Sequence, residues 1–298
     1  MITKELIKEV TITLLKRAET GLPGDVKAAL VRAYEREDNK IAKVQLEAML
    51  DNVKLAGEMQ RPLCQDTGLP LFFVTLGSGT GTVDPGDIDA GIREGVEAAT
   101  DLIPLRSNVV DPITRAGKGG NIGDKMPYID YTVDPALDLD FDGIELLVSP
   151  KGGGAENMSA LTMLTPKPEA EAVKEIQTFV LETVLKAAGK PCPPTIIGIG
   201  LGGSADIAMK LAKVALLRPV GVRNKVELIA QAEEELLEAV NKTGIGPMGL
   251  GGKTTALGLH IETASTHIAS FPVAIAFQCW AARKSAAKIY GDGRVEYR

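Results

Sequence analysis

From Gln60 onward the chain is a series of short apolar runs, each closed by glycine or proline. LFFVTLG, YIDYTV, IELLVS, TIIGIGLG, ALGLHIE and PVAIAFQ are all of strand length and bounded by turn residues. Helical patterns fall between several of them, at about 87–101, 169–188, 205–217 and 225–242. The last three are amphipathic and acidic at their starts, which suits the helix dipole. Such alternation predicts a mixed α/β fold. The first sixty residues differ. Ile2, Leu6, Val10 and Leu14 recur at helical spacing, Pro23 introduces a second helix from Asp25, and Ile41, Val44, Leu46, Leu50 and Val53 mark a third. The expected organisation is a helical section over 1–60 followed by an α/β region over 61–298, reading as one compact domain overall. No internal repeat of fixed period stands out.

Composition narrows the function classes. With 33 Lys and Arg against 39 Asp and Glu, the net charge is −6, and no basic stripe carries interleaved aromatics, so nucleic acid is not an expected partner. The first twenty residues place charges inside their apolar pattern and have no small-residue cleavage site, which excludes a signal peptide. The longest apolar stretch, 268–282, is short for a membrane span and contains Gln278. These features read together as a cytoplasmic protein that engages no membrane. Aromatics make up 4% of residues, while 32 glycines and 17 prolines cluster in loops; backbone rather than bulky side chains is expected to shape a site there. Three widely spaced cysteines fit neither a disulfide framework nor a zinc ribbon, and on composition alone they read as free buried thiols.

Two glycine loops imitate nucleotide sites. Gly198, Gly200 and Gly203 fit G-x-G-x-x-G after a strand and before a helix, but the acidic residue expected about twenty positions on is missing. In PMGLGGKTT, Pro247 stands where a phosphate loop needs its first glycine. A nucleotide-binding module using Gly198–Gly203 is therefore a rival reading. Three other segments are denser in polar residues than structure alone requires. RPLCQDTGLP carries Cys64, Gln65, Asp66 and Thr67. SPKGGGAENMS carries Lys151 and Gly152–Gly154. THIASFPVAIAFQC sets His267 before an apolar run ending at Cys279. Each has a plain structural alternative: an Asx-turn for Asp66, a tight turn for the glycines, a backbone-satisfied imidazole for His267.

In this order, RPLCQDTGLP, LRSNVVDPI, GGNIGDKMPYIDY, SPKGGGAENMSALTMLTP, PCPPTIIGIGLGGSAD and GLGGKTTALGLHIETASTHIASFPVAIAFQC resemble the α subunits of class I fumarate hydratase and L-tartrate dehydratase. The resemblance implies a fold built around a cluster-binding site, with an oxygen-sensitive 4Fe–4S cluster held by Cys64, Cys192 and Cys279. One iron then lacks a protein ligand and is open to substrate as a Lewis acid. It implies reversible hydration of fumarate to (S)-malate, a step of the tricarboxylic acid cycle, or dehydration of L-tartrate by the same ligands. Asp66 takes an acid/base role supported by His267. Gln65, Arg106 and a glycine of Gly152–Gly154 contact the dicarboxylate in that family pattern; from their charge and loop position, rather than from the resemblance, Lys151 and Lys253 are expected to add positive charge. Single-chain relatives carry further active-site residues in a C-terminal domain. The resemblance therefore implies a separate β subunit, within a heterotetramer containing an α–α dimer.

Overall fold

A computed structural model of the chain describes residues 1–77, 83–132 and 142–298. Three helices come first, as the apolar spacing predicts: α1 (Lys4–Thr20), α2 (Gly24–Arg36) and α3 (Lys40–Met59). Strands and helices then alternate: β1 (Leu69–Leu76), α4 (Pro85–Leu102), β2 (Tyr128–Thr132), β3 (Gly143–Lys151), α5 (Gly153–Glu156), β4 (Ala160–Leu164), α6 (Glu169–Ala187), β5 (Thr195–Leu201), α7 (Ala205–Ala215), α8 (Glu227–Lys242), β6 (Ala256–Thr263), β7 (Phe271–Gln278), β8 (Ser285–Tyr290) and β9 (Val295–Tyr297). The predicted run YIDYTV becomes β2, with Val133 outside the described residues. The mixed α/β expectation holds.

The chain divides into two compact units. The first comprises Met1–Pro23, Val53–Gly152 and Arg283–Arg298. Its sheet has the order β2-β1-β3-β8-β9, parallel only between β1 and β2. Ile7, Leu14, Phe72, Ile88, Ile144 and Leu146 form part of a continuous core. Helices α1 and α4 meet closely because α4 presents glycines: a Cβ at Gly95 would lie 2.6 Å from the Thr11 Cβ, and one at Gly91 2.7 Å from the Lys4 carbonyl.

The second unit comprises Gly24–Asn52 and Gly153–Ala282. Its sheet has the order β4-β7-β5-β6, in which β7 runs antiparallel to both neighbours and β5 runs parallel to β6. Helix α7 lies directly on β5. A Cβ at Gly198 would stand 2.0 Å from the Ala212 carbonyl oxygen, and one at Gly200 1.9 Å from that of Ala208. The first two glycines of the G-x-G-x-x-G pattern are therefore buried strand residues that let a helix approach. They do not form a phosphate loop. Ser204 and Asp206 bond to each other at the start of α7, placing a carboxylate where a phosphate would otherwise sit. The nucleotide reading fails on this steric ground.

The elements that the apolar runs did not predict are the short ones. Strand β4 (ALTML) alternates partly buried and exposed residues at a sheet edge, and β8 (SAAKIY) carries few bulky apolar side chains. Among the described residues no helix is long and apolar enough to cross a membrane. The α1–α4 contact generates a stability test. Gly95→Ala improves intrinsic helix propensity by about 1 kcal/mol, yet overpacking costs about 1–3 kcal/mol. A lower urea midpoint is expected; a higher one contradicts the close-packed interface.

Candidate functional site

In the first unit the segment before β1 is held in place by main-chain and buried polar bonds. Asp66 Oδ1 accepts from the Gly68 N–H at 3.0 Å, so the carboxylate does form an Asx-turn. Gly68 has φ +76° and packs its α-carbon on the Lys151 backbone, where a Cβ would come within 2.8 Å. Thr67, almost fully buried, receives the Arg106 N–H on its Oγ1 at 3.1 Å and the Asn108 Nδ2 at 3.2 Å. Asn108 also donates to the Gly68 carbonyl at 2.9 Å. Asn121, 1% exposed, accepts the Asn108 N–H at 2.8 Å and donates to the Arg106 carbonyl at 3.1 Å.

These bonds tie the 62–68 loop to the 104–108 loop and leave a recess of about 570 Å³ lined by Pro62, Cys64, Gln65, Thr67, Pro104, Leu105 and Arg106. Cys64, Gln65 and Arg106 are exposed there, and Asp66 is half-buried. Three residues singled out in the sequence thus share one concavity. Gly152 adjoins Asp66: a Cβ on it would lie 3.2 Å from Oδ2. Lys151, 3% exposed, is buried and absent from the recess lining.

In the second unit the antiparallel register, with Ile196 opposite Gln278, brings the start of β5 to the end of β7. Cys192 precedes the one and Cys279 follows the other. The Trp280 N–H donates to the Cys192 carbonyl at 3.0 Å, joining the two cysteine segments directly. Cys192 has φ +54°, an uncommon conformation for a residue with a Cβ. It is held by neighbours on both sides of its loop. The Cys192 N–H bonds to the Gly189 carbonyl at 3.1 Å, and the Met248 N–H to that of Pro193 at 2.8 Å. Gly189 and Gly249 face each other so closely that a Cβ on Gly249 would lie 2.6 Å from the Gly189 α-carbon. The PMGLGG segment is thus a brace for the Cys192 loop. Gly154 belongs to the same end of the unit, since a Cβ there would be 3.0 Å from the Lys190 carbonyl oxygen; Gly153 and Gly154 are both exposed.

His267 lies in the loop before β7, exposed, its Nδ1 bonded to the Ala269 N–H at 3.1 Å. Cys279 follows the other end of that strand, whose eight residues span about 23 Å at 3.3 Å per step. The fold therefore separates His267 from Cys192 and Cys279 within this unit. Lys253 is held by Asp38 at 2.5 Å and by the Arg36 carbonyl at 3.3 Å. A second cavity of about 590 Å³, between α6 and α8, has apolar walls including Ile176, Leu228, Ile229 and Leu236, and contains none of the candidate residues.

None of the three cysteines forms a disulfide. Among the described residues of either unit, no three His, Cys, Asp or Glu side chains converge on a point that would hold a single metal ion. Of the bracing residues, Thr67 was named in the sequence, whereas Asn108, Asn121, Gly189 and Gly249 were not. Asn108, Asn121 and Gly249 lie inside the quoted strings, which mark a segment without saying which members face a ligand; Gly189 lies outside them.

Residues 8–288 match the family described as fumarate hydratase (Fumerase). A Methanocaldococcus jannaschii protein provisionally named L(+)-tartrate dehydratase subunit alpha is 47% identical over 289 residues, covering 97% of this chain and 99% of that protein. The Escherichia coli L(+)-tartrate dehydratase subunit alpha is 32% identical over 286 residues, covering 96% and 91% respectively.

The brace on Cys192 is testable without any cofactor. Gly249→Ala adds a Cβ at φ +75° against the Gly189 backbone, a clash expected to cost about 1–3 kcal/mol. Alkylation of Cys192, followed by peptide mass spectrometry, should accelerate in the variant while Cys64 alkylation does not. Equal rates in variant and parent contradict the bracing role.

Proposed function

The chain belongs to the fumarate hydratase family of hydro-lyases, and from that premise we propose that it is an α subunit holding one 4Fe–4S cluster through Cys64, Cys192 and Cys279. The observation that carries the reading is the meeting of the Cys192 and Cys279 segments at one end of the β5–β7 pair. The donor set suits the group. The three thiols form no disulfide, lie on loops, and are at least partly exposed, whereas structural cysteines of a hydrophobic core would be sealed. When bound, such a cluster with three protein ligands supplies a Lewis-acidic iron for the substrate's hydroxyl and carboxylate oxygens.

The remaining work falls to side chains. Arg106, exposed in the recess with Cys64 and Gln65, binds a substrate carboxylate through its planar fork of donors. Gln65 offers an amide that can donate to or accept from a carboxylate or hydroxyl oxygen. Asp66 handles the proton. Its Oδ1 is oriented by the Gly68 N–H while Oδ2 lies on the Gly152 side, so the carboxyl is held in one direction as proton transfer requires. Gly152–Gly154 bring main-chain N–H groups close to substrate. Lys151, buried, contributes positive charge from beneath the loop rather than a direct contact. His267, at the far end of β7 from Cys192 and Cys279, is kept as the histidine that supports Asp66 in proton handling.

The substrate is a four-carbon dicarboxylate. The reaction is reversible hydration of fumarate to (S)-malate, carried out with a separate β subunit that supplies the rest of the site. A second reading, dehydration of L-tartrate, is favoured by the names of the two relatives. Parallel assays of the α chain, anaerobically reconstituted with and without a β partner, on malate, fumarate and L-tartrate decide between them. The proposal expects hydro-lyase activity on one of the three that depends on the partner; full activity from the α chain alone sinks the two-component scheme. Arg106→Met removes a charged hydrogen bond worth about 1.5–3 kcal/mol, so KM should rise by about 10- to 100-fold with cluster content intact. An unchanged KM removes Arg106 from the carboxylate site.

A further inference from the structure

Arg283 is the largest side chain among the fully buried ones, 1% exposed, and no step of the chemistry above uses it. Its Nη1 donates to Glu19 Oε2 at 2.7 Å, and Glu19 is itself 0% exposed. Its Nη2 donates to the main-chain carbonyl of Asp66 at 2.8 Å. The main-chain carbonyl of Glu19 accepts the Leu63 N–H at 2.8 Å. Leu63 and Asp66 bracket Cys64 and Gln65, so the pair grips the loop on both sides of its two exposed residues. Arg283 also backs the neighbouring glycine, since a Cβ on Gly152 would lie 3.9 Å from Nη2. Its own carbonyl is fixed by the Ser149 Oγ at 3.3 Å.

A buried ion pair is a poor way to stabilise a core, because desolvating both charges offsets most of their attraction. An apolar pair of similar volume would serve packing as well or better. The desolvation is visible on Glu19: burial pushes its carboxyl up to about 7 against the opposing pull of Arg283. What an apolar pair cannot supply is a donor to the Asp66 carbonyl.

We propose that Arg283, held by Glu19, is a positioning residue that fixes the Leu63–Asp66 loop and so sets where the Cys64 thiol and the Asp66 carboxylate point. This rests on the reading of Cys64 as a cluster ligand and Asp66 as the proton-handling group. Arg283 is four residues beyond Cys279 in the chain, so one short segment follows a ligand with the support of another ligand's loop.

The test replaces both charges together, Glu19→Met with Arg283→Met, so that no lone ion is left buried. Amide hydrogen exchange of the iron-free chain is followed over 61–68 and, as internal reference, over β1 and β3. The proposal expects exchange over 61–68 to quicken about tenfold or more with the strands unchanged. In the reconstituted α–β complex, kcat should fall with little change in KM. Unchanged exchange over 61–68, or an equal rise across the strands, overturns it. Arg283→Lys, which keeps the charge but loses the second arm of the fork, carries the same test if the double variant does not fold; it should quicken exchange over 61–68 relative to the parent with the strands unchanged, and parent-like exchange there again overturns the proposal. Iron and sulfide content of the parent chain reports separately on the cluster reading: an iron-free parent defeats that reading, whereas the exchange data alone decide the role of Arg283.

Discussion

The direction of β7 decides which chemistry the second unit can assemble. Paired antiparallel to β5, it returns the chain to the point where β5 began, so a residue just before β5 and one just after β7 must be neighbours. That places Cys192 and Cys279 together although they are eighty-seven positions apart in the sequence. Had β7 run parallel to β5, as β6 does, Cys279 would stand at the opposite end with the α7 turn. The same pairing sends His267 away. Around this pairing the PMGLGG segment and the glycine contact at 189 and 249 restrain the Cys192 loop in a backbone conformation that few residues adopt unaided.

The first unit follows a different plan. Its recess is formed by two loops with no regular structure, and loops hold a geometry only when their polar backbone groups are satisfied. Here Thr67, Asn108 and Asn121 do so by linking the loops to each other, and Arg283 does so from below. Small side chains and main-chain bonds leave the walls open for a small polar substrate. The apolar cavity between α6 and α8 is as large but has no cationic side chain in its lining, which includes Glu169 and Glu235. Concavity alone is thus a weak guide in this molecule, and the placement of charge and thiol is the stronger one.

Much of the fold was legible because periodicity reports burial directly. The three N-terminal helices, α4, α6, α7 and α8 follow apolar spacing, and the longest strands follow the apolar runs. Strands β4, β8 and β9 were not legible: short edge or near-edge strands bury little and so carry a weak pattern. The glycines at 198 and 200 misled in an instructive way. Close approach of a helix to a strand and close approach of a phosphate to a loop both select a residue without a Cβ, and sequence cannot say which neighbour did the selecting. His267 and Cys279, only twelve positions apart, stand at opposite ends of β7, so nearness in sequence is not nearness in space here. Cys64, Gln65 and Arg106 share one recess across about forty positions because the polar bonds of Thr67, Asn108 and Asn121 tie their two loops together. Arg283 and Glu19 left no mark in the sequence: each stands near other charges, Lys284 beside the one and Lys16 and Arg17 near the other, and sequence does not say which of them is buried.

If the three cysteines hold one cluster with an iron left for substrate, as proposed, the α–β complex reconstituted anaerobically with ⁵⁷Fe should show it in Mössbauer spectra recorded with and without dicarboxylate. Four irons per α chain are expected, of which one shifts its parameters on substrate addition while three do not. A spectrum with no cluster iron, or one in which substrate moves none of the four, contradicts it.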